Sequence, residues 1–278
     1  MPSAESARKT WRTLEPIHGM IYFVPEAAAE YERLGLRGRS GYFASRSAAM
    51  GAVGAEMVIA TFFNFHPGLV RQAMQDVWNT TSPADVLAAR LRGADAALRR
   101  LGGELIDSDG VAEAAELSRA AATEATRWPE GRPLFAAHAG LAWPTEPHLV
   151  LWHAQTLLRE FRGDAHIAAL VTAGVTGVEA LLLHGASGEV PLAVLQATRA
   201  WPDDEWEAGL AGLRERGLIA DDDTLTDRGR EFRQAIEDST DRLAAAAYAP
   251  IGDEGCARLR DLARPLSKAI VAGGALRL

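Results

Sequence analysis

The 278-residue chain is 48% hydrophobic and 24% charged with a formal net charge of −8, a globular balance that excludes disordered and fibrous classes. Its single cysteine, Cys256, closes no internal disulfide and fits a reducing compartment. No run approaches the roughly 18 apolar residues of a membrane span, and Met1–Arg12 lacks the apolar core of an export signal. A cytoplasmic location is therefore expected, with no membrane partner, and the acidic balance argues against nucleic acid as the main partner.

In chain order, the first clear signals are His18, an apolar stretch and Pro25, followed by a Gly- and Arg-rich stretch from Gly35 to Tyr42. That stretch lacks the spacing of a phosphate-binding loop and reads as a connection between helices. Gly51-Ala-Val-Gly-Ala-Glu56 then opens an apolar run to Phe63. After Trp78, Ser82-Pro83 caps a helix over Ala84 to Leu101 that stops at Gly102. A short polar hairpin over Glu104 to Gly110 and a helix over Val111 to Trp128 complete this part.

Beyond the joint Trp128-Pro-Glu-Gly-Arg-Pro133 the same order recurs. His138 stands where His18 stood and Pro144 where Pro25 stood. Gly174-Val-Thr-Gly-Val-Glu179 repeats the G-x-x-G-x-E pattern, and Trp201 falls on Trp78. Helices over Val190 to Ala200 and Glu205 to Arg216 follow, then Gly217, an acidic wing over Ile219 to Gly229, and a helix from Arg230 to Ala247. This order points to an internal duplication. The first copy covers 13–128, the second 134–250, and a C-terminal segment over 251–278 carries a helix from Cys256 to Ala272.

Helix, turn, helix, hairpin, helix is the grammar of a winged helix. The expected fold is all-α with small β wings, two tandem winged-helix-like repeats in a pseudo-twofold arrangement. Whether such a module meets DNA is a matter of charge, because Lys and Arg contacts to phosphate supply most of the affinity. Between Val190 and Arg242 stand thirteen acidic residues against seven arginines, a formal charge of −6. The second copy's recognition position opens with Asp203, Asp204, Glu205 and Glu207, and its wing carries Asp221, Asp222 and Asp223. The first copy is less hostile, with Arg90, Arg92, Arg99 and Arg100 on its second helix.

Five of the seven histidines fall between 138 and 184, among Trp143, Trp152, Glu160, Arg162 and Asp164. Imidazoles near neutral pH suit proton transfer or metal ligation. Glu15-Pro-Ile-His18 has the i, i+3 spacing of helical di-iron ligands, but it has no second copy and contains Pro16, so no metal is assigned. No G-x-S-x-G elbow appears either, and no cofactor is expected. The candidates for proton transfer are His18, His138 and His153, with Glu15 or Asp164 orienting an imidazole. Trp11, Tyr22, Phe23, Arg46, Trp143 and Trp152 are candidate ligand-binding residues of a pocket between the repeats. The competing reading makes the aromatics core and the histidines packing groups. Likewise Glu56 and Glu179 read most simply as carboxylates at helix N-termini.

The stretch RGLI…LTDRG resembles the wing of MarR-type winged-helix proteins. Over nearly the whole chain, EPIHGMIYF (15–23), GYFASRSAAMG (41–51), RPLFAAHAGL (132–141) and LWHAQTLLREFRGDAHIAAL (151–170) resemble a family of Ala/Arg-rich actinobacterial proteins of about this length, described as helix-turn-helix or MarR-like. That resemblance implies a fold but no activity or site residues. A lesser resemblance is to tandem winged-helix DNA glycosylases, whose two glutamines flank one apolar residue. Here Gln72-Ala-Met-Gln75 has two intervening residues, which departs from that signature. The functional expectation is a small-molecule-binding protein or a metal-independent acid/base enzyme, with specialised metabolism as a setting, acting as monomer or homodimer. The alternative is a ligand-responsive winged-helix regulator that binds DNA; a structural or interaction module is the third class.

Overall fold

A computed structural model describes residues 2–276, and they are mostly helical. In chain order the helices are α1 (Ala4–Gly19), α2 (Pro25–Arg33), α3 (Arg39–Ser47), α4 (Ala55–Phe62), α5 (Pro67–Met74), α6 (Val77–Thr80), α7 (Pro83–Gly102) and α8 (Asp109–Ala125). They continue with α9 (Pro133–Ala139), α10 (Pro147–Thr172), α11 (Gly177–Ala186), α12 (Leu192–Arg199), α13 (Asp203–Glu215), α14 (Asp227–Ala245) and α15 (Gly252–Ala272). Among the described residues no single helix is long and apolar enough to cross a membrane.

The chain divides into two compact units, each built from separated segments. Unit 1 takes residues 1–53, 76–165 and 241–278; unit 2 takes 54–75 and 166–240. Each unit therefore draws on both sides of the 128–133 joint.

In unit 1, α1 packs on α15, α2 on α7, and α8 on α15. Small residues permit close approach. Ala121, Ala122, Ala125 and Ala154 share a core with Phe135, Phe161 and Tyr248, and a Cβ on Gly93 would stand 2.8 Å from the Ala27 Cα across the α2–α7 contact. Local signals set the helix starts. The Ser82 hydroxyl accepts the Asp85 N–H at 3.1 Å with Pro83 in the first turn, a favoured N-terminal pairing.

The hairpin expected over Glu104–Gly110 is instead a 3-10 helix, Gly103–Asp107, running into α8. The Ser108 hydroxyl donates to the Leu105 carbonyl at 2.7 Å and accepts the Val111 N–H at 3.3 Å. Local side-chain bonds thus satisfy this backbone without a partner strand, and Ile106 is buried rather than alternating in and out.

Unit 2 has α11 ahead of two helices joined by a turn, α12 and α13, which a short turn connects to α14. Its core gathers Val178, Leu182, Trp206, Leu210, Leu213 and Ile236 with the wing residues Ile219 and Leu225. Trp206, Leu210 and Leu213 recur at the helical period, which is why α13 turns that face inward. The wing reduces to one antiparallel bridge, Ile219 to Leu225, closed by the Ala220 N–H to the Thr224 carbonyl at 2.9 Å. Gly229 makes the return possible, since a Cβ there would stand 2.0 Å from the Leu218 carbonyl oxygen. Among the described residues there is no sheet, and no second wing stands in unit 1. The expectation of tandem winged-helix repeats with β wings is corrected accordingly: the described residues are all-α, with a single isolated bridge.

Candidate functional site

Unit 1 encloses a polar cluster in an otherwise apolar interior. Its side chains come from α1 (Glu15, His18), the following 3-10 turn (Tyr22), α3 (Tyr42, Arg46), α7 (Arg90), α9 (His138) and α10 (Trp152, His153, Thr156, Arg159, Glu160). His18, Thr156, His138, Glu160 and Arg90 are all buried. The expected grouping of His18, His138, His153, Tyr22, Arg46 and Trp152 is therefore brought together, and Arg90 and Arg159 join it. Nothing in the sequence periodicity separates these two arginines from ordinary surface ones.

His18 is the most constrained member, at 0% exposure. Its Nδ1 lies 3.0 Å from the Thr156 hydroxyl and its Nε2 2.8 Å from the Tyr22 hydroxyl. Thr156 donates its one proton to the Trp152 carbonyl one turn back at 3.1 Å, so Nδ1 of His18 is the donor to Thr156. Nε2 is then the acceptor of the Tyr22 O–H, whose oxygen receives the Arg159 guanidinium at 3.4 Å. The donor sequence runs Arg159, Tyr22, His18, Thr156, Trp152 with each hydrogen used once. Burial, followed by the nearby cations Arg159, Arg90 and Arg46, holds the His18 imidazole well below its ordinary range, so it is neutral. Burial also pushes the Tyr22 phenol up.

The charges around this chain are mostly balanced. Arg159 donates to Glu15 at 2.8 Å and to Glu160 at 3.3 Å. Arg46 sits 3.7 Å from Glu160 and donates to the Tyr42 hydroxyl at 2.9 Å, over the rings of Tyr22 and Tyr42. Burial alone would raise the Glu160 carboxyl, but Arg46 and Arg159 reverse that and hold it below its usual range. Glu160 is therefore an ionised counter-charge.

Arg90 differs. It is 3% exposed, its guanidinium lies 4.7 Å from the centre of the Trp152 ring, and among the described residues no carboxylate reaches it within 4 Å. Beside it, Trp152 Nε1, His153 Nε2, His138 Nδ1 and the Arg90 Nε itself are buried without a hydrogen-bond partner in the protein. Such orphans are uncommon in native interiors. Arg90, Trp152 and His153 line a cavity of about 220 Å³ whose remaining wall includes Leu87, Leu91, Leu141 and Pro144. Burial, then Arg90, pushes His153 down to about 4. Burial and Arg90 likewise push His138 down to about 3.

The remaining candidates are placed elsewhere. Asp164 accepts the Phe135 N–H at 2.9 Å, capping α9, and burial raises it to about 6. Glu15 accepts the Trp11 indole at 3.0 Å and Arg159. Neither carboxylate orients an imidazole, because backbone and cation donors already claim both. Trp11 lies under Arg162, 4.0 Å from ring to guanidinium. Trp143 packs edge-on to His153 at 4.8 Å with Arg119 over its ring. Phe23 is 51% exposed and borders a separate hollow of about 270 Å³ with Tyr22, Tyr31 and Tyr42. Among the described residues no group of three or more His, Cys, Asp or Glu side chains is placed to hold a metal ion.

The two DNA-facing expectations also meet the structure. In α7, Arg92 pairs with Glu30 at 2.7 Å, Arg99 with Asp95 at 2.9 Å and Arg100 with Glu26, and Arg90 is internal. Arg92 and Arg100 thus pair with carboxylates of α2 and Arg99 with one of its own helix, all three about half exposed. In unit 2, Asp203, Asp204, Glu205 and Glu207 are exposed along the start of α13. Glu179 forms a reciprocal cap with Thr176, and Glu56 pairs with Arg71 at 2.7 Å.

The model of a helix-turn-helix family matches residues 7–277 of the chain. No curated protein and no solved structure matches it.

Proposed function

The chain belongs to this helix-turn-helix family, and from that premise we propose that it is a small-molecule-binding protein whose site is the Arg90–Trp152–His153 cavity of unit 1. The carrying observation is the set of buried polar atoms without protein partners around that cavity. A buried donor left unsatisfied costs about 1–3 kcal/mol, and a ligand that satisfies several at once recovers that loss. Leu87 to Leu91 come from the first half of the sequence and Leu141 to His153 from the second, as in a duplicated chain that holds its ligand between copies. The three buried imidazoles, neutral at physiological pH, supply the acid/base capacity for which an enzymatic version of this reading calls.

Native mass spectrometry of gently isolated protein, set against its denatured mass, tests the reading. An excess of a few hundred daltons, lost on Arg90→Met or Trp152→Phe, is the expected result. An excess unaffected by either substitution would place the ligand elsewhere and reject this site.

The second reading, a DNA-binding regulator, is favoured by the family match itself. Against it stands the acidic exposed face of α13 and the wing aspartates Asp221 to Asp223, which oppose phosphate. Fluorescence anisotropy with a generic duplex at low salt separates the two. Absent or salt-insensitive binding is expected, and tight binding that falls steeply with salt would restore the regulator.

A further inference from the structure

We propose that the unit 1 cavity binds a small monocarboxylate with an apolar body, its carboxylate paired with Arg90. This rests on the small-molecule reading above and specifies the ligand's chemistry.

Charge gives the first argument. A guanidinium cannot shed its proton inside a protein, and an unpaired buried ion carries a desolvation penalty of several kcal/mol. Glu15 and Glu160 already meet Arg159 and Arg46. Arg90 stacks on Trp152 but has no anion within 4 Å among the described residues, and none of the residues lining the cavity is acidic. One positive charge is therefore left for something that is not part of the chain.

Hydrogen bonding gives the second. An indole N–H is a donor only, and Trp152 Nε1 is buried with no protein acceptor. The Arg90 Nε–H is in the same position. His153 Nε2 is also unpartnered and becomes a donor when the ring carries its proton there. All three residues line one cavity, and a ligand that meets these atoms brings acceptors. Two carboxylate oxygens answer a guanidinium and an indole N–H in the manner of charge-assisted pairing. A single uncompensated cation fits a monoanion better than a phosphate dianion.

Shape gives the third. Leu87, Leu91, Leu141 and Pro144 supply an apolar wall, which requires an apolar body on the acid. The volume of about 220 Å³ lies below the roughly 300 Å³ at which pockets for drug-sized ligands begin, so the acid is small.

Calorimetry and thermal melting of the full chain test this with phenylacetate and hexanoate as probes. Phenylacetamide, hexylamine and inorganic phosphate are the comparators. The acids should bind and raise the wild-type melting temperature by about 2–4 °C at concentrations well above Kd. The neutral amide should bind at least about 30-fold more weakly, and Arg90→Met should lose the acids by a similar factor. Without ligand, Arg90→Met should melt no lower than the wild type, because its buried cation is gone. Equal binding of acid and amide, or preference for the amine, would overturn the carboxylate while leaving a small-molecule site intact. Phosphate binding more tightly than either acid would overturn the monoanion. Failure of both acids to bind the wild-type chain overturns the inference without reference to any variant, and the native-mass comparison then decides separately whether the cavity holds another ligand.

Discussion

Acid should unfold this protein through its buried imidazoles, and His138 shows how far. A histidine held at about 3 when folded against 6.5 when unfolded binds its proton first in the unfolded chain. Its contribution is present above pH 6.5 and is lost as the pH falls towards the folded value. Between about pH 7.5 and pH 4.5 the unfolded form gains roughly two pH units of proton affinity over the folded one, or about 3 kcal/mol. His153, held at about 4, adds about 2.5 kcal/mol over the same interval by the same reasoning. Asp164 works in the opposite sense. Raised to about 6 from 3.8, its carboxyl favours the folded state as it protonates, which returns about 2 kcal/mol by pH 4.5. The net fall should be steep but not the sum of the histidines alone. Urea unfolding followed by tryptophan fluorescence at several pH values, for wild type and His138→Leu, isolates one member. The variant should lose about 3 kcal/mol less than wild type between these pH values. Parallel pH profiles for the two proteins would show that His138 titrates alike folded and unfolded, and would refute the reasoning.

Two further changes probe the frame. Tyr22→Phe removes the proton that Nε2 of His18 accepts and the oxygen that Arg159 meets; chemical denaturation should show a loss of about 1–3 kcal/mol, and an unchanged midpoint would argue against the donor sequence. Gly229→Ala drives a Cβ into the Leu218 carbonyl, so the wing must shift; hydrogen exchange at the amides of Ala220 and Thr226 should accelerate markedly, whereas unaltered exchange would mean that the junction yields without strain.

Helix positions were the most legible part of the sequence. Ser82-Pro83 and the Trp206/Leu210/Leu213 spacing carry their signal within a few residues, and each stands where local chemistry puts it, whereas the wing expected over Ile219–Gly229 is only an isolated bridge. The segment after Gly103 departs from the expected hairpin because polarity and a closing glycine are shared by hairpins and 3-10 turns; the deciding bonds, those of the Ser108 hydroxyl, are made by one side chain. At the site, the clustered histidines were visible as a composition, and His18, His138 and His153 do converge. Arg90 was legible only as one of four helix arginines. Three of these find carboxylates and one does not, and that difference depends on which face α7 turns inward and on the partners α2 offers, Glu26 and Glu30. Asp164 carried the residue type of an orienting carboxylate, yet its neighbour in space is an amide of α9, a contact between helices that no spacing within the chain encodes.

The interleaving of the two units has a kinetic corollary during synthesis. Residues 54–75 leave the ribosome long before 166–240, the rest of their unit, exist. The α1 helix likewise waits for α15, which follows it by more than 200 residues. Each unit closes only when segments far apart in the chain meet, so folding is dominated by contacts distant in sequence, which slow it. Cutting the gene between residues 75 and 76 or between 165 and 166 would leave both products without a complete unit, whereas the two fragments co-expressed have every segment needed to reassemble.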